Sequence, residues 1–288
     1  MFEERYACLI IAYFNKFTFK EEQILLRIFK SYTNFIKINF LTIKLSSRFE
    51  EKIRSFIIFK NTFNLDKTLR YLKSENIEFI CIFEDNYPQN LKEIFNPPLV
   101  IFYKGNLNNF NYKCLAIIGS RKNSLYGEKV TDYIIKDLKD VCIVSGLALG
   151  IDALAHQNAL KYNYKTIAII GSGLDFESFY PKKNIFLMRK ILQNGGTIAS
   201  EYPPKTPALK NNFRLRNRII SGISKAILII EAKKRSGTII TANYALEQNR
   251  EVLVVPGNVF SENSETCNYL ISQGASLIKN GEDVNKYI

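Results

Sequence analysis

Between Tyr202 and Ile230 the chain has no acidic residue and six basic ones: Lys205, Lys210, Arg214, Arg216, Arg218 and Lys225. Phe213 stands among them, and Asn217 lies between two arginines. Spaced cations follow phosphates and an aromatic ring offers a face to a base, so this mixture suits a single-stranded nucleic acid. The plainer alternative is a solvated helix face with Phe213 in the core. A second group of the same chemistry is Leu115-Ala116-Ile117-Ile118-Gly119-Ser120-Arg121. Gly119 permits a tight turn and close backbone approach, and Arg121 adds a permanent charge in a planar fork suited to phosphate.

These residues need a scaffold, and the apolar runs supply one. Leu115–Ile118 reads as a strand buried on both faces, followed by a helix with Val130, Tyr133, Ile134 and Leu138 at helical spacing. Strand, glycine turn and helix together present backbone N–H groups and a helix N-terminus to an anion. Further strand runs are Val141–Val144, Thr166–Ile170, Thr197–Ala199, Ala226–Ile230, Val252–Val255 and Ser276–Ile278. Helical stretches between them predict an α/β fold with a doubly wound, mainly parallel sheet.

Such sheets bind ligands beyond the carboxyl ends of their strands. There the chain places Ser145-Gly146-Leu147-Ala148-Leu149-Gly150-Ile151-Asp152, Gly171-Ser172-Gly173-Leu174-Asp175, and Glu231-Ala232-Lys233-Lys234-Arg235-Ser236-Gly237-Thr238. Glycine- and hydroxyl-lined helix starts next to arginine and lysine point to phosphate binding. No nucleotide motif is complete. Phe176 stands where the third glycine of a dinucleotide fingerprint belongs, and the glycines near Lys129 lack P-loop spacing. His156 sits alone in a helical pattern and reads as a structural, hydrogen-bonded histidine. Nothing pairs Asp152 with Glu201 as acid and base, and Asp152 suits a helix start.

The 288 residues carry 40 Lys+Arg against 27 Asp+Glu, a formal net charge of +13, which favours a polyanionic partner. The five cysteines, Cys8, Cys81, Cys114, Cys142 and Cys267, form no C-x-x-C, which argues against a disulfide framework or a metal site. Cys114 and Cys142 read as small core residues. No apolar run reaches the ~18 residues of a membrane span, and Met1–Arg5 is not a basic secretory start. The expected location is the cytoplasm, with no cofactor and no metal.

Residues 1–75 differ from the rest of the chain. They hold no glycine and carry fourteen Lys/Arg against eight Asp/Glu. Ile24, Leu25, Ile28 and Phe29 show helical spacing, so a small helical domain is expected there. Residues 76–288 would form the second domain. It opens on a connector with strand-like runs at Ile77–Phe83 and Leu99–Tyr103, the second of which would add an edge strand to the sheet.

Several motifs in order resemble the DprA/Smf family, the DNA-processing protein of natural transformation. They are Ile118-Gly119-Ser120-Arg121; Ser145 through Asp152 with Ala155-His156; Gly195-Gly196 through Ser200-Glu201-Tyr202-Pro203; Phe213 through Gly222; Ser236 through Ala242; and Val255-Pro256-Gly257. The resemblance implies an extended Rossmann fold and a homodimer. It also implies a protein that binds and shields incoming single-stranded DNA and helps load the recombinase RecA, without catalysis. Carried over by motif, the DNA site comprises Gly119, Ser120, Arg121, Lys210, Phe213, Arg216, Asn217, Arg218, Ser236, Gly237 and Thr238. Many members carry a C-terminal winged helix. This chain ends about ten residues after its last strand candidate, so that domain is expected to be absent.

An enzymatic alternative is a phosphoribohydrolase of the cytokinin-activating (LOG-like) kind, which the Gly237-Thr238 helix start resembles. There Thr241 stands in place of the glutamate and no Pro-Gly-Gly precedes. Glycosidic chemistry wants that carboxylate at an oxocarbenium-like centre, so the binding reading is preferred. A protein-binding scaffold is disfavoured by the acid-free run.

Overall fold

The computed structural model describes residues 2–39, 46–234 and 236–288; Arg235 lies outside them. The chain forms two compact units, one of Met1–Tyr87 with Pro98–Ile101, the other of Pro88–Pro97 with Phe102–Ile288.

The first unit is mainly helical: α1 (Phe2–Phe14), α2 (Phe19–Phe29), α3 (Tyr32–Ile36), α4 (Ser47–Thr62), α5 (Leu65–Ser74) and strand β1 (Glu78–Cys81). Local chemistry sets the helix starts. Thr18 and Glu21 form a capping box at α2, each side chain accepting from the other's backbone N–H. Asn64 caps α5 by accepting from Lys67 N at 2.8 Å. Aromatic residues fill the interior, with Phe35 and Phe56 stacked at 4.7 Å between centroids. Of the four apolar positions in α2, Leu25 is fully buried and Ile24 is exposed.

The second unit contains α6 (Gln89–Lys92), most of β2 (Val100–Gly105), β3 (Cys114–Ile118), α7 (Leu125–Lys136), β4 (Cys142–Ser145), α8 (Ile151–Lys161) and β5 (Lys165–Ile169). It continues with α9 (Ile185–Gln193), β6 (Thr197–Ser200), α10 (Lys210–Ile223), β7 (Ala226–Ile229), α11 (Gly237–Glu247), β8 (Glu251–Val254), α12 (Glu265–Ser272), β9 (Ser276–Leu277) and α13 (Gly281–Asn285). The strands run in the order β2-β6-β5-β4-β3-β7-β8-β9. β2 pairs antiparallel with β6, Phe102 facing Ser200. The pairings from β6 to β9 are parallel. This is the doubly wound α/β architecture that the alternating apolar runs predict.

The strands are short and almost wholly apolar because both faces are covered. Leu115, Ile117, Ile143, Leu228 and Leu253 are fully buried against Ile134 and Ile135 of α7, each such side chain contributing about 1.5–3 kcal/mol by burial. Cys114 and Cys142 are buried neighbours in register. From β3 the chain winds outward through β4, β5 and β6, then returns to lay β7 on the other side of β3. That reversal opens a crevice beyond the carboxyl ends of β3 and β7.

His156 lies in α8, fully buried, with Nδ1 at 2.7 Å from Thr166 Oγ1 of β5. Burial, reinforced by the nearby Arg216 charge, pushes its pKa from the ordinary 6.5 down to about 3. The neutral ring therefore stabilises the fold fully above pH 6.5, and this contribution is lost as pH falls toward about 3. Between pH 7 and pH 5 the protein is expected to lose about 2 kcal/mol through this group. Denaturant unfolding of wild type and His156→Gln at both pH values checks this. An equal loss in both would show that His156 is not the group responsible.

A candidate nucleic-acid cleft

The first wall of the crevice is the turn after β3. Gly119 is close-packed there: a Cβ would lie 2.7 Å from Ile151 Cγ1 and 2.9 Å from the Glu231 carbonyl oxygen. Ser120 N donates to Glu231 O at 2.7 Å, and Ile151 N donates to Ser120 O at 3.1 Å. The Ser120 hydroxyl closes the turn by accepting from Lys122 N at 3.2 Å. Ser120 is thus buried structure, whereas Arg121 and Lys122 stand exposed at the tip.

The start of α7 corrects one expectation. Its N-terminus does not present amides to a ligand, because the anion there is internal. Ser124 N donates to the Glu231 carboxylate at 2.9 Å, and Ser124 Oγ accepts from Gly127 N at 3.2 Å. A Cβ at Gly127 would come within 2.3 Å of the same carboxylate. The turn before α8 is closed likewise: Asp152 accepts from Gly146 N at 3.1 Å and Ala148 N at 3.4 Å. Gly171-Ser172-Gly173 leads into a long loop rather than a helix, since α9 begins only at Ile185.

The floor and second wall come from α10. Lys210 and Arg214 are exposed, and Phe213 is half-buried over Gly171, where a Cβ would meet the ring at 2.9 Å. The Arg121 guanidinium lies 5.6 Å from the Phe213 centroid, a cation–π contact. The Tyr180 ring lies 5.7 Å from it at 52°. Arg216 points inward and is 4% exposed. Its Nη1 donates to the carbonyls of Gly146, at 2.9 Å, and Ile169, and its Nε to Asn217 Oδ1 at 3.2 Å. Burial lowers its pKa to about 10, Asp152 opposing the shift, so it is charged at neutral pH. Burial pushes the Asp152 carboxyl up while Arg216 holds it down. The two are buried groups of opposite charge under the cleft, each acting on the other through its field.

The third wall is the start of α11. Ser236 makes no side-chain capping bond, and its Oγ is buried with no hydrogen-bond partner. Leu209 offers α10 no side-chain cap either. Two helix N-termini without side-chain caps therefore border the same space, with the positive ends of two dipoles. Asn217 Nδ2 donates to Gly237 O at 3.5 Å and ties the two helices at that point.

Gly119, Ser120, Arg121, Lys210, Phe213, Arg216, Asn217, Ser236, Gly237 and Thr238 all line one cleft of roughly 1010 Å³. Arg218 does not. It is buried, donating from Nη1 to Glu201 Oε2 at 2.9 Å, from Nη2 to Glu201 Oε1, and from Nε to Asn96 O at 2.8 Å. The physical reason is helical geometry: two residues on from Arg216, Arg218 faces the end of β6 instead. Lys122, Tyr180 and Lys233 also line the cleft, although the sequence motifs do not mark them as site residues. For Tyr180 the available signal is an aromatic in a glycine-flanked loop after a strand. Among the described residues lining the cleft, the carboxylate is that of Asp152, already accepting from the Gly146 and Ala148 amides. Thr241, at the position of the LOG-like glutamate, turns its hydroxyl to Gly237 O at 3.4 Å. No helix among the described residues is long and apolar enough to cross a membrane.

This cleft belongs to the part of the chain that known proteins share. The family model for DNA recombination-mediator protein A matches residues 78–288. DNA processing protein DprA of Streptococcus pneumoniae is 40% identical over 229 residues, covering 79% of this chain and 80% of its own. Protein Smf of Escherichia coli is 39% identical over 77% of this chain and 59% of its own length. Among solved structures, the S. pneumoniae DprA matches with a TM-score of 0.78 at 33% identity, over 93% of both chains. DNA processing protein A of Helicobacter pylori, solved to describe its single-stranded DNA binding mode, matches with a TM-score of 0.65 at 28% identity, over 73% of this chain and 94% of its own. The motifs, the sheet order and these matches agree, and the chain belongs to the DNA recombination-mediator protein A family, the DprA/Smf proteins.

Proposed function

We propose that the cleft binds single-stranded DNA and that the protein acts without catalysis in natural transformation, shielding incoming DNA and helping to load RecA. The observation that carries the reading is the convergence of exposed cations, an aromatic ring and two uncapped helix N-termini on one crevice. Amides and cations hold phosphates, and Phe213 packs on a base or sugar. The single-stranded DNA binding described for the H. pylori relative supports it. In this reading residues 76–288 carry the DNA site, the helical residues 1–75 are accessory, and the protein works as a homodimer. Arg218 serves by holding α10 against Glu201 rather than by touching DNA.

Fluorescence anisotropy with a labelled oligo-dT of about 20 nucleotides tests it. Binding to the single strand is expected to weaken with salt at a log–log slope of ~0.7 per neutralised phosphate. Arg121→Ala is expected to weaken it about tenfold or more. Equal affinity for duplex, indifferent to Arg121, would refute the assignment.

A further inference from the structure

The loop after β5 carries a second aromatic–cation group that the cleft itself does not account for. Asp175 organises it. Its carboxylate accepts from Ser178 N at 3.1 Å and Lys205 N at 2.6 Å, and its carbonyl accepts from Phe179 N at 3.0 Å. These bonds make one helix-like turn. Phe179 is 1% exposed and anchors the turn from within. Phe176 is the second residue of this turn, and Tyr180 follows directly after it. They are 58% and 47% exposed.

A fixed turn that holds two rings in water is a binding surface before any ligand arrives. Its charge indicates which ligand. The Lys182 ammonium lies 4.8 Å from the Phe176 centroid and donates to Glu177 O at 3.0 Å. Lys183 is exposed beside it, against the single exposed carboxylate of Glu177. Tyr180 also borders the cleft, next to Phe213. Arg121, Phe213 and Tyr180 thus form one ring-and-cation group, and four residues before Tyr180 in the same loop Phe176 forms another with Lys182. Stacking faces followed by cations match a strand whose bases are unpaired, and duplex DNA would leave such rings unused.

We infer that the Phe176–Lys182 turn is a stacking platform that extends the single-strand site beyond the cleft, with Tyr180 as the junction and Phe176 taking the next base. The inference rests on the reading of the cleft as a single-strand site.

The chain has no tryptophan, so Phe176→Trp would place a lone reporter on the platform. Its fluorescence is expected to be quenched as an oligo-dT of about 20 nucleotides saturates, and not by one of about 6 nucleotides that fills only the cleft. Phe176→Ala should weaken the long oligonucleotide about tenfold and leave the short one unchanged. Arg121→Ala should weaken both. An unquenched tryptophan at saturation, or Phe176→Ala binding the long strand as wild type does, would overturn the platform and leave the cleft standing. Equal weakening of both lengths by Phe176→Ala would also overturn it, since the loop would then only shape the cleft. Arg121→Ala binding both strands like wild type would remove the cleft reading and the platform with it.

Discussion

Arg216→Met is expected to lower the unfolding free energy by about 1–3 kcal/mol, the cost of leaving buried carbonyls without their donor. The substitution keeps the bulk of the side chain but removes the donors to Gly146 O and Ile169 O. It also takes away a cation whose field favours the charged form of the buried Asp152, leaving the Gly146 and Ala148 amides and Arg121 to do so. Adding Asp152→Asn should recover part of the loss, because the amide oxygen still accepts from those N–H groups and no charge is stranded. Urea unfolding of the two single variants and the double variant gives the coupling directly. Strict additivity would mean that the two side chains are not energetically paired.

Gly150→Ala is expected to cost about 3 kcal/mol or more and to impair DNA binding as well. Gly150 sits at φ 79°, ψ −132°, a region open essentially to glycine. A Cβ there would also lie 2.2 Å from Ser120 O and 2.8 Å from Arg121 Cα. Backbone cannot rotate away as a side chain can, so the β3–α7 turn must move and carry Arg121 with it. Gly237 is the matching control. It borders the same cleft, a Cβ there meets nothing within 4 Å, and its φ is not positive. Gly237→Ala should therefore stay within about 1 kcal/mol of wild type. Thermal unfolding of both variants separates the two cases, and oligo-dT anisotropy reads the binding loss in Gly150→Ala; a wild-type-like Gly150→Ala would contradict the close approach of Gly150 to the β3–α7 turn.

Much of the fold is legible in the sequence because central parallel strands have no solvent face to encode. Leu115–Ile118 and Ala226–Ile230 are unbroken apolar runs for that reason, and the turn after each is where polar residues resume. The cleft is legible in outline for the same reason. Individual arginines are not. Arg214, Arg216 and Arg218 alternate in one helix with identical chemistry, yet one is exposed, one is buried against the carbonyls of Gly146 and Ile169, and one is paired with Glu201. Their fates depend on carbonyls and a carboxylate at the ends of other strands, which no local pattern reports. The anion that closes α7 is hidden likewise, because Glu231 is 107 residues away from Ser124. Tyr180 escapes a sequence reading because its loop has no periodicity.

The return of the chain to lay β7 against β3 has a consequence for biosynthesis. Ser120 is fixed by Glu231, and β3 has β7 as one of its two neighbours. While the ribosome is still adding β5 and β6, Arg121 therefore sits on a turn with no second wall, beside a strand with one open edge. The uncapped start of α11 emerges later still. A strongly cationic nascent chain, surrounded by ribosomal RNA, thus lacks its cationic crevice until β7 and the head of α11 have left the exit tunnel.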